Sequence, residues 1–220
     1  MKTNEVVLIL DKSGSMSNLV SDTIGGFNSI LKEQSENGKG EVLVSTILFN
    51  EERKVLHDRV KIADVPKMTT KDYRPSGGTA LIDAIGYSIK HIKKIYKYIR
   101  EEDVPDHTLF VIITDGLENS SRNFSSSEVK KMIEEQQDKN NWEFLFIGAN
   151  IDAVKTAAHY GIDRDYSFNY LSDEKGTSKV YGAVSKKVSM TRKAVKNMKS
   201  SNCCLRSITA DYEKRRKRKK

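Results

Sequence analysis

The stretch VVLILDKSGSMSNL, residues 6–19, contains the feature that decides the fold. Five apolar residues, 6–10, are followed by Asp11, and Ser13 and Ser15 lie two and four positions after that aspartate. A short, uninterrupted apolar run predicts a strand that is buried on both faces of a parallel sheet. Because ligands bind at the carboxyl ends of such strands, the three oxygen-bearing side chains are candidate ligand-binding groups.

Short apolar runs alternate with helical patterns along the rest of the chain, which predicts an α/β fold with helices on both faces of the sheet. Only residues 50–53 separate the second predicted strand from the third, so we expect a hairpin there and one antiparallel edge strand. The fold is therefore predicted to be a Rossmann-like, doubly wound, mainly parallel sheet of six strands, at residues 6–10, 42–49, 54–60, 109–113, 144–147 and 166–168.

Apolar residues at three- and four-residue spacing predict the helices between these strands. Ser125 and Glu128 form a capping-box pattern at the start of one helix. A short helix is expected over residues 152–159, closed by Gly161. The other helical spacings lie over residues 24–31, 81–99, 129–133 and 180–198.

The composition fits one domain with a sizeable core, since 37% of the 220 residues are hydrophobic and 31% are charged. No apolar stretch approaches the roughly 20 residues that span a bilayer. The apolar part of the N-terminus is too short for a signal peptide. Cys203 and Cys204 are adjacent, which disfavours a disulfide between them. We therefore expect a cytoplasmic protein with reduced thiols.

The net charge of +8 is concentrated at the C-terminus, because the seven residues 214–220 (KRRKRKK) are all basic. We divide the chain into one domain over residues 1–202 and a basic tail over residues 203–220. A block of like charge is usually solvated and disordered, which is the interpretation favoured for residues 214–220. Binding of nucleic acid through residues 214–220 is the alternative.

Two later segments carry oxygen-bearing side chains to the same predicted edge of the sheet. Residues 76–79 (SGGT) open the long helix, and residues 114–116 (TDG) follow a central strand. Taken singly, each segment has a plainer explanation as a helix cap or a turn. Oxygen ligands without His or Cys suit a hard cation, Mg²⁺ or Mn²⁺ as its substitute. The three segments therefore predict a metal site that combines the carboxylates of Asp11 and Asp115 with hydroxyl oxygens.

The D-x-S-x-S pattern at residues 11–15, Thr79 in a Gly-rich loop and T-D-G at residues 114–116 together resemble the metal-ion-dependent adhesion site (MIDAS) of von Willebrand factor type A (vWA) domains. The three parts occur in the same order as in that family. The chain looks most like the small stand-alone bacterial and phage members, with its segments DKSGSM and TDGLEN. The resemblance covers roughly residues 4–200.

The resemblance implies that Ser13, Ser15 and Thr79 contact the metal directly, while Asp11 and Asp115 act through water or through hydrogen bonds to the hydroxyls. Neutral hydroxyl ligands cancel little of a dication's charge, so the metal keeps its affinity for an anionic oxygen. The expected function is a metal-dependent protein-binding module, and the expected partner is an unidentified protein with an exposed carboxylate.

An Mg²⁺-dependent phosphoester or nucleotide hydrolase is the alternative in another functional class. A phosphatase of the haloacid dehalogenase type would need an aspartate where this chain has Ser13. The sequence contains neither a P-loop nor a G-x-S-x-G nucleophile elbow. The four histidines lie in scattered segments away from the motif loops, so no base is paired with a nucleophile and we expect no enzymatic activity.

Overall fold

The structure is a computed structural model that describes residues 3–37, 40–192 and 200–217. None of the helices in these ranges is long and apolar enough to cross a bilayer. Six strands are present: β1 (Thr3–Asp11), β2 (Glu41–Phe49), β3 (Arg53–Lys61), β4 (His107–Thr114), β5 (Glu143–Ala149) and β6 (Ser167–Tyr170). The α-helices are α1 (Val20–Asn37), α2 (Leu81–Tyr98), α3 (Ser126–Asn140), α4 (Ala153–His159), α5 (Glu174–Arg192) and α6 (Arg206–Arg216).

The strands form one sheet in the order β3-β2-β1-β4-β5-β6. All neighbouring pairs are parallel except β2 and β3, which form the expected antiparallel hairpin at one edge. The predicted six-stranded, mainly parallel sheet is thus confirmed. The chain leaves β1 for β2 on one side and later returns to β4 on the other side of β1. This reversal between β1 and β4 is the topological switch point at which open α/β sheets bind ligands.

Helices cover both faces of the sheet, which explains why β1 is an uninterrupted apolar run. Val6, Leu8 and Leu10 belong to the core beneath α1 and α5. Val7 and Ile9 belong to the core beneath α2, α3 and α4. Each fully buried aliphatic side chain of this kind contributes about 1.5–3 kcal/mol. The strand therefore holds Asp11, its last residue, in a fixed position at the switch point.

Local sequence signals set several helix ends as predicted. Ser125 and Glu128 form a complete capping box before α3, and Asp152 caps α4 by accepting from the backbone N–H of Lys155. Gly161 follows α4 with a φ of +75°, a conformation that favours glycine. The helical spacing expected over residues 180–198 is seen in α5 up to Arg192, while its last positions, Val195 and Met198, lie outside the described residues.

The described part of the C-terminal segment is helical rather than disordered, which corrects the favoured interpretation of the basic tail. Leu205 and Ile208 are buried in the core near α5, and Arg215 of α6 forms ion pairs with Asp173 and Asp211. These apolar anchors precede the basic block, so the charge pattern alone did not reveal them. The division of the chain after residue 202 stays a prediction.

A buried ion pair joins α5 to the amino end of β5. The Nζ of Lys187 lies 2.5 Å from Oε1 of Glu143 and 2.8 Å from Oδ1 of Asn202. Burial alone would raise the pKa of Glu143, but His107 and Lys187 outweigh that effect and lower it. A buried pair of this kind is strongly destabilised when one partner is removed, because the remaining charge is left uncompensated.

We expect Lys187→Met to lower the free energy of unfolding by about 3–5 kcal/mol, since it leaves the Glu143 carboxylate buried without its ammonium partner. Lys186→Met, the same substitution at the exposed neighbouring position, should change stability by less than about 0.5 kcal/mol. Urea unfolding of the two variants measures both values. Equal effects of the two substitutions would contradict this role of Lys187.

Candidate metal centre

Backbone hydrogen bonds join the loop after β1 to the loop before α2. The N–H of Gly14 donates to the carbonyl oxygen of Gly77 at 3.0 Å, and the N–H of Ser76 donates to that of Lys12 at 2.9 Å. Gly77 has a φ of +68°, which allows the chain to turn at this contact. The two loops are therefore held in one fixed arrangement.

The loop after β4, residues 116–125, is attached to the same place. The N–H of Asn119 donates to the carbonyl oxygen of Thr79 at 3.0 Å, and the N–H of Thr79 donates to Oδ1 of Asn119 at 2.8 Å. Gly78 permits this approach, because a Cβ at that position would lie 2.1 Å from Oγ of Ser120. All three motif segments thus meet at the switch point.

Four of the five predicted site residues are linked by a chain of hydrogen bonds. Oδ1 of Asp11 accepts from the N–H of Ser13 at 2.6 Å, and its Oδ2 accepts from the hydroxyl of Thr114 at 2.6 Å. The hydroxyl oxygens of Ser13 and Ser15 are 3.0 Å apart. Ser15 donates in turn to Oδ1 of Asp115. The carboxylates therefore fix the positions of the hydroxyls.

Gly116 shows that the fifth residue, Thr79, belongs to the same cluster. A Cβ added to Gly116 would lie 3.0 Å from Oγ1 of Thr79, 3.6 Å from Oγ of Ser15 and 3.9 Å from Oγ of Ser13. The three hydroxyls consequently border one small space in front of this glycine. The structure brings all five predicted residues together.

The charge of this site is uncompensated within the described ranges. Asp11 and Asp115 are only 1% and 3% exposed, and neither forms an ion pair with a described residue. Burial raises the pKa of Asp11; hydrogen bonds from Thr114 and Ser13 oppose this rise, and the charge of Asp115 adds to it. Buried carboxylates are costly without a compensating charge, so the site fits a cation.

The donor chemistry points to a hard cation. Within the ranges that the structure describes, no group of three or more His, Cys, Asp or Glu side chains could hold a metal. A cation at the switch point would therefore depend on hydroxyl oxygens together with carboxylates, a set that suits Mg²⁺ or Mn²⁺. The space is open on one side, because Ser15 is exposed whereas Ser13 and Thr79 are buried.

Two residues that contact the site were missed by the sequence analysis. Tyr73 is buried and donates its hydroxyl proton to the backbone carbonyl oxygen of Asp11. Ser172 follows β6 and donates to Oδ2 of Asp115 at 3.2 Å. No local pattern marks either residue, because each reaches the site only through the tertiary fold.

No protein-family model and no curated protein sequence matches the chain. Solved structures do match. The vWF domain of the type V pili tip protein Mfa5 from Porphyromonas gingivalis has a TM-score of 0.61 and 11% identity, over 86% of this chain and 96% of that one. A von Willebrand factor type A protein from Catenulispora acidiphila has a TM-score of 0.57 and 15% identity, over 84% and 42% of the two chains. The chain has the vWA fold.

Proximal thread matrix protein 1 from the mussel byssus, solved with a zinc-occupied MIDAS motif, shares the vWA fold at a TM-score of 0.59 and 15% identity. The match covers 84% of this chain and 48% of the mussel protein. The chain thus spans about half the length of the mussel and Catenulispora proteins. These likenesses confirm the predicted vWA fold, and the assignment of a metal must depend on the residues of this chain.

Asp83, which lies outside the predicted ligand set, holds the 116–125 loop of this vWA fold in place. It is buried in the first turn of α2 and accepts from the backbone N–H groups of Arg122, Asn123 and Phe124, each with its shortest contact at 2.9 Å. Burial alone would raise the pKa of Asp83, but these hydrogen bonds outweigh it and lower the pKa below its ordinary value of 3.8.

We expect Asp83→Ala to lower the free energy of unfolding by about 2–3 kcal/mol at neutral pH, because three backbone N–H groups lose a charged acceptor. A lowered pKa means that this stabilisation is complete above pH 3.8 and disappears as the pH falls through the folded-state value. Thermal unfolding of both proteins from neutral to acidic pH measures the difference. A stability difference between the wild type and Asp83→Ala that stays constant down to pH values well below 3.8 would contradict this role.

Proposed function

We propose that the protein is a metal-dependent binding module that holds a carboxylate of a partner protein at a MIDAS. The observation that carries this proposal is the burial of Asp11 and Asp115, without a cationic side chain, behind three hydroxyls that border one space. The zinc-occupied MIDAS of the mussel protein supports a divalent cation in this fold. Mg²⁺ is the proposed ion, with Mn²⁺ as its substitute, and Asp11, Ser13, Ser15, Thr79 and Asp115 form the proposed site.

The residues of the site have separate tasks in this proposal. Asp11 accepts from the N–H of Ser13 and thereby sets the backbone of the first loop. Asp115 accepts a hydrogen bond from the hydroxyl of Ser15, which leaves a lone pair of the Ser15 oxygen available for a cation. When bound, the ion would supply an electrophilic position for an anionic oxygen, because neutral hydroxyl ligands cancel little of its charge.

A binding module is favoured over an Mg²⁺-dependent hydrolase because three histidines form their polar contacts away from the metal centre. His57 bonds to Thr46, His91 to Asp58, and His107 lies beside Glu143. None of these contacts involves the three motif loops, so none of these three imidazoles is poised as a base next to a site hydroxyl. Release of phosphate from ATP or from p-nitrophenyl phosphate in the presence of Mg²⁺ would favour the hydrolase instead.

Isothermal titration of metal-free protein with Mg²⁺ or Mn²⁺ should show one site per chain. Ser13→Ala/Thr79→Ala should abolish detectable binding, because it removes two of the three hydroxyl oxygens. Ser35→Ala/Thr70→Ala removes two exposed hydroxyls outside the cluster and should bind like the wild type. Gly116→Ala should weaken binding, since its Cβ would project among the hydroxyls. Unchanged binding by the Ser13/Thr79 variant would refute the site.

Capture of a partner from extract should depend on both the metal and Asp115. EDTA and Asp115→Ala should each abolish retention, a loss well beyond the roughly 1 kcal/mol of one surface contact. A chain truncated after Glu213 should retain the partner, because the basic block is not part of the proposed site. Retention that survives EDTA and Asp115→Ala but is lost on truncation would show that the C-terminus is the functional element.

A further inference from the structure

A cleft of about 830 Å³ lies beside β6, between α4 and α6. Val154 of α4 lines one wall, and consecutive residues of β6, Ser167, Phe168 and Asn169, form its floor. Side chains of successive strand residues point to opposite faces, so a cavity that all three residues line must run along the edge of the sheet. β6 is the last strand of the sheet. This α4–α6 cleft is built from other residues than the proposed metal centre.

The α4–α6 cleft is positively charged. Four cationic side chains and two carboxylates, those of Asp165 and Glu213, line it, which leaves an excess of two positive charges. None of the lining cations forms an ion pair with a described residue, whereas Arg215 in the same helix is satisfied by Asp173 and Asp211. The lining cations are exposed, and they are Arg164, Arg206, Arg216 and Lys217.

The chemistry of the lining fits phosphate groups joined to bases. Arginine presents a planar fork that bonds two phosphate oxygens at once. Tyr212 is half-buried in the same cleft, with the guanidinium carbon of Arg216 5.8 Å from its ring centroid. The guanidinium of Arg216 lies over one side of the Tyr212 ring, and an aromatic ring in a positively charged groove is an arrangement in which an unpaired base stacks while the backbone follows the charges. We propose that the α4–α6 cleft binds single-stranded nucleic acid, with Tyr212 stacking on one base.

An extended acidic peptide fits this cleft less well. Such a peptide would gain most of its binding energy by adding a strand to the free edge of β6. However, Ser167 and Phe168 are only 5% and 7% exposed, so the backbone that would form those hydrogen bonds is covered.

Fluorescence anisotropy of the full chain in EDTA, with a fluorescein-labelled oligothymidine about 10 nucleotides long, tests this proposal. Arg164→Glu/Arg206→Glu should weaken binding by at least about tenfold and reduce the salt dependence. Lys155→Glu/Lys186→Glu makes the same change of net charge outside the cleft and should stay within about twofold of the wild type.

The role of the ring is tested separately. Tyr212→Ala should weaken binding about fivefold or more, whereas Tyr212→Phe, which keeps the ring, should retain it. Because EDTA is present throughout, the metal centre does not contribute, and Ser13→Ala/Thr79→Ala should bind the oligothymidine like the wild type. If the metal proposal fails, the expected oligothymidine binding in EDTA is unchanged. If the oligothymidine does not bind, the expected metal binding is likewise unchanged.

Three results would overturn the proposal. The first is that the wild type does not bind the oligothymidine. The second is that Arg164→Glu/Arg206→Glu binds like its charge-matched control, which would show that the lining cations outside residues 214–220 do not hold the oligothymidine. The third is that poly-glutamate displaces the oligothymidine at an equal concentration of negative charge, which would assign the cleft to acidic peptides.

Discussion

Two buried carboxylates at the switch point of the sheet are the constraint on which the rest of this structure depends. Asp11 and Asp115 end or follow the neighbouring strands β1 and β4, so the topology brings their charges together where water is largely excluded. Hydrogen bonds from Ser13, Ser15 and Thr114 to the two carboxylates offset part of this repulsion. Those bonds distribute the negative charge without neutralising it, which is the reason for proposing a cation at this site.

The three motif loops are interdependent, because each is held by hydrogen bonds to another. Thr79 exchanges backbone and side-chain bonds with Asn119, while Glu118 accepts from the N–H of Ile82 at the start of α2. The helix therefore has its amino end capped by the same loop that borders the hydroxyls. Asp83 holds the far part of that loop. A site built in this way forms only when the loops and α2 are all in place.

Local patterns were sufficient to predict the sheet and to pick out five residues that the structure brings together at the switch point. The apolar run before Asp11 and the D-x-S-x-S spacing are contained within a few residues, so they need no knowledge of the fold. Tyr73 and Ser172 could not be found in this way, because their hydrogen bonds to the site join distant parts of the chain. The helical C-terminus was missed for a related reason: tertiary packing of Leu205 and Ile208, rather than helix propensity, stabilises α6.

The buried pair of Lys187 and Glu143 determines which motions are open to α5. Sliding the helix by one turn, about 5.4 Å, would separate the ammonium from its carboxylate and leave both charges buried and uncompensated. Yet the segment that leads into α5 contains Ser172, which bonds directly to Asp115. A disturbance of the carboxylates therefore reaches a helix that is clamped at its far half. The ion pair therefore opposes a piston-like displacement of the whole helix by one turn.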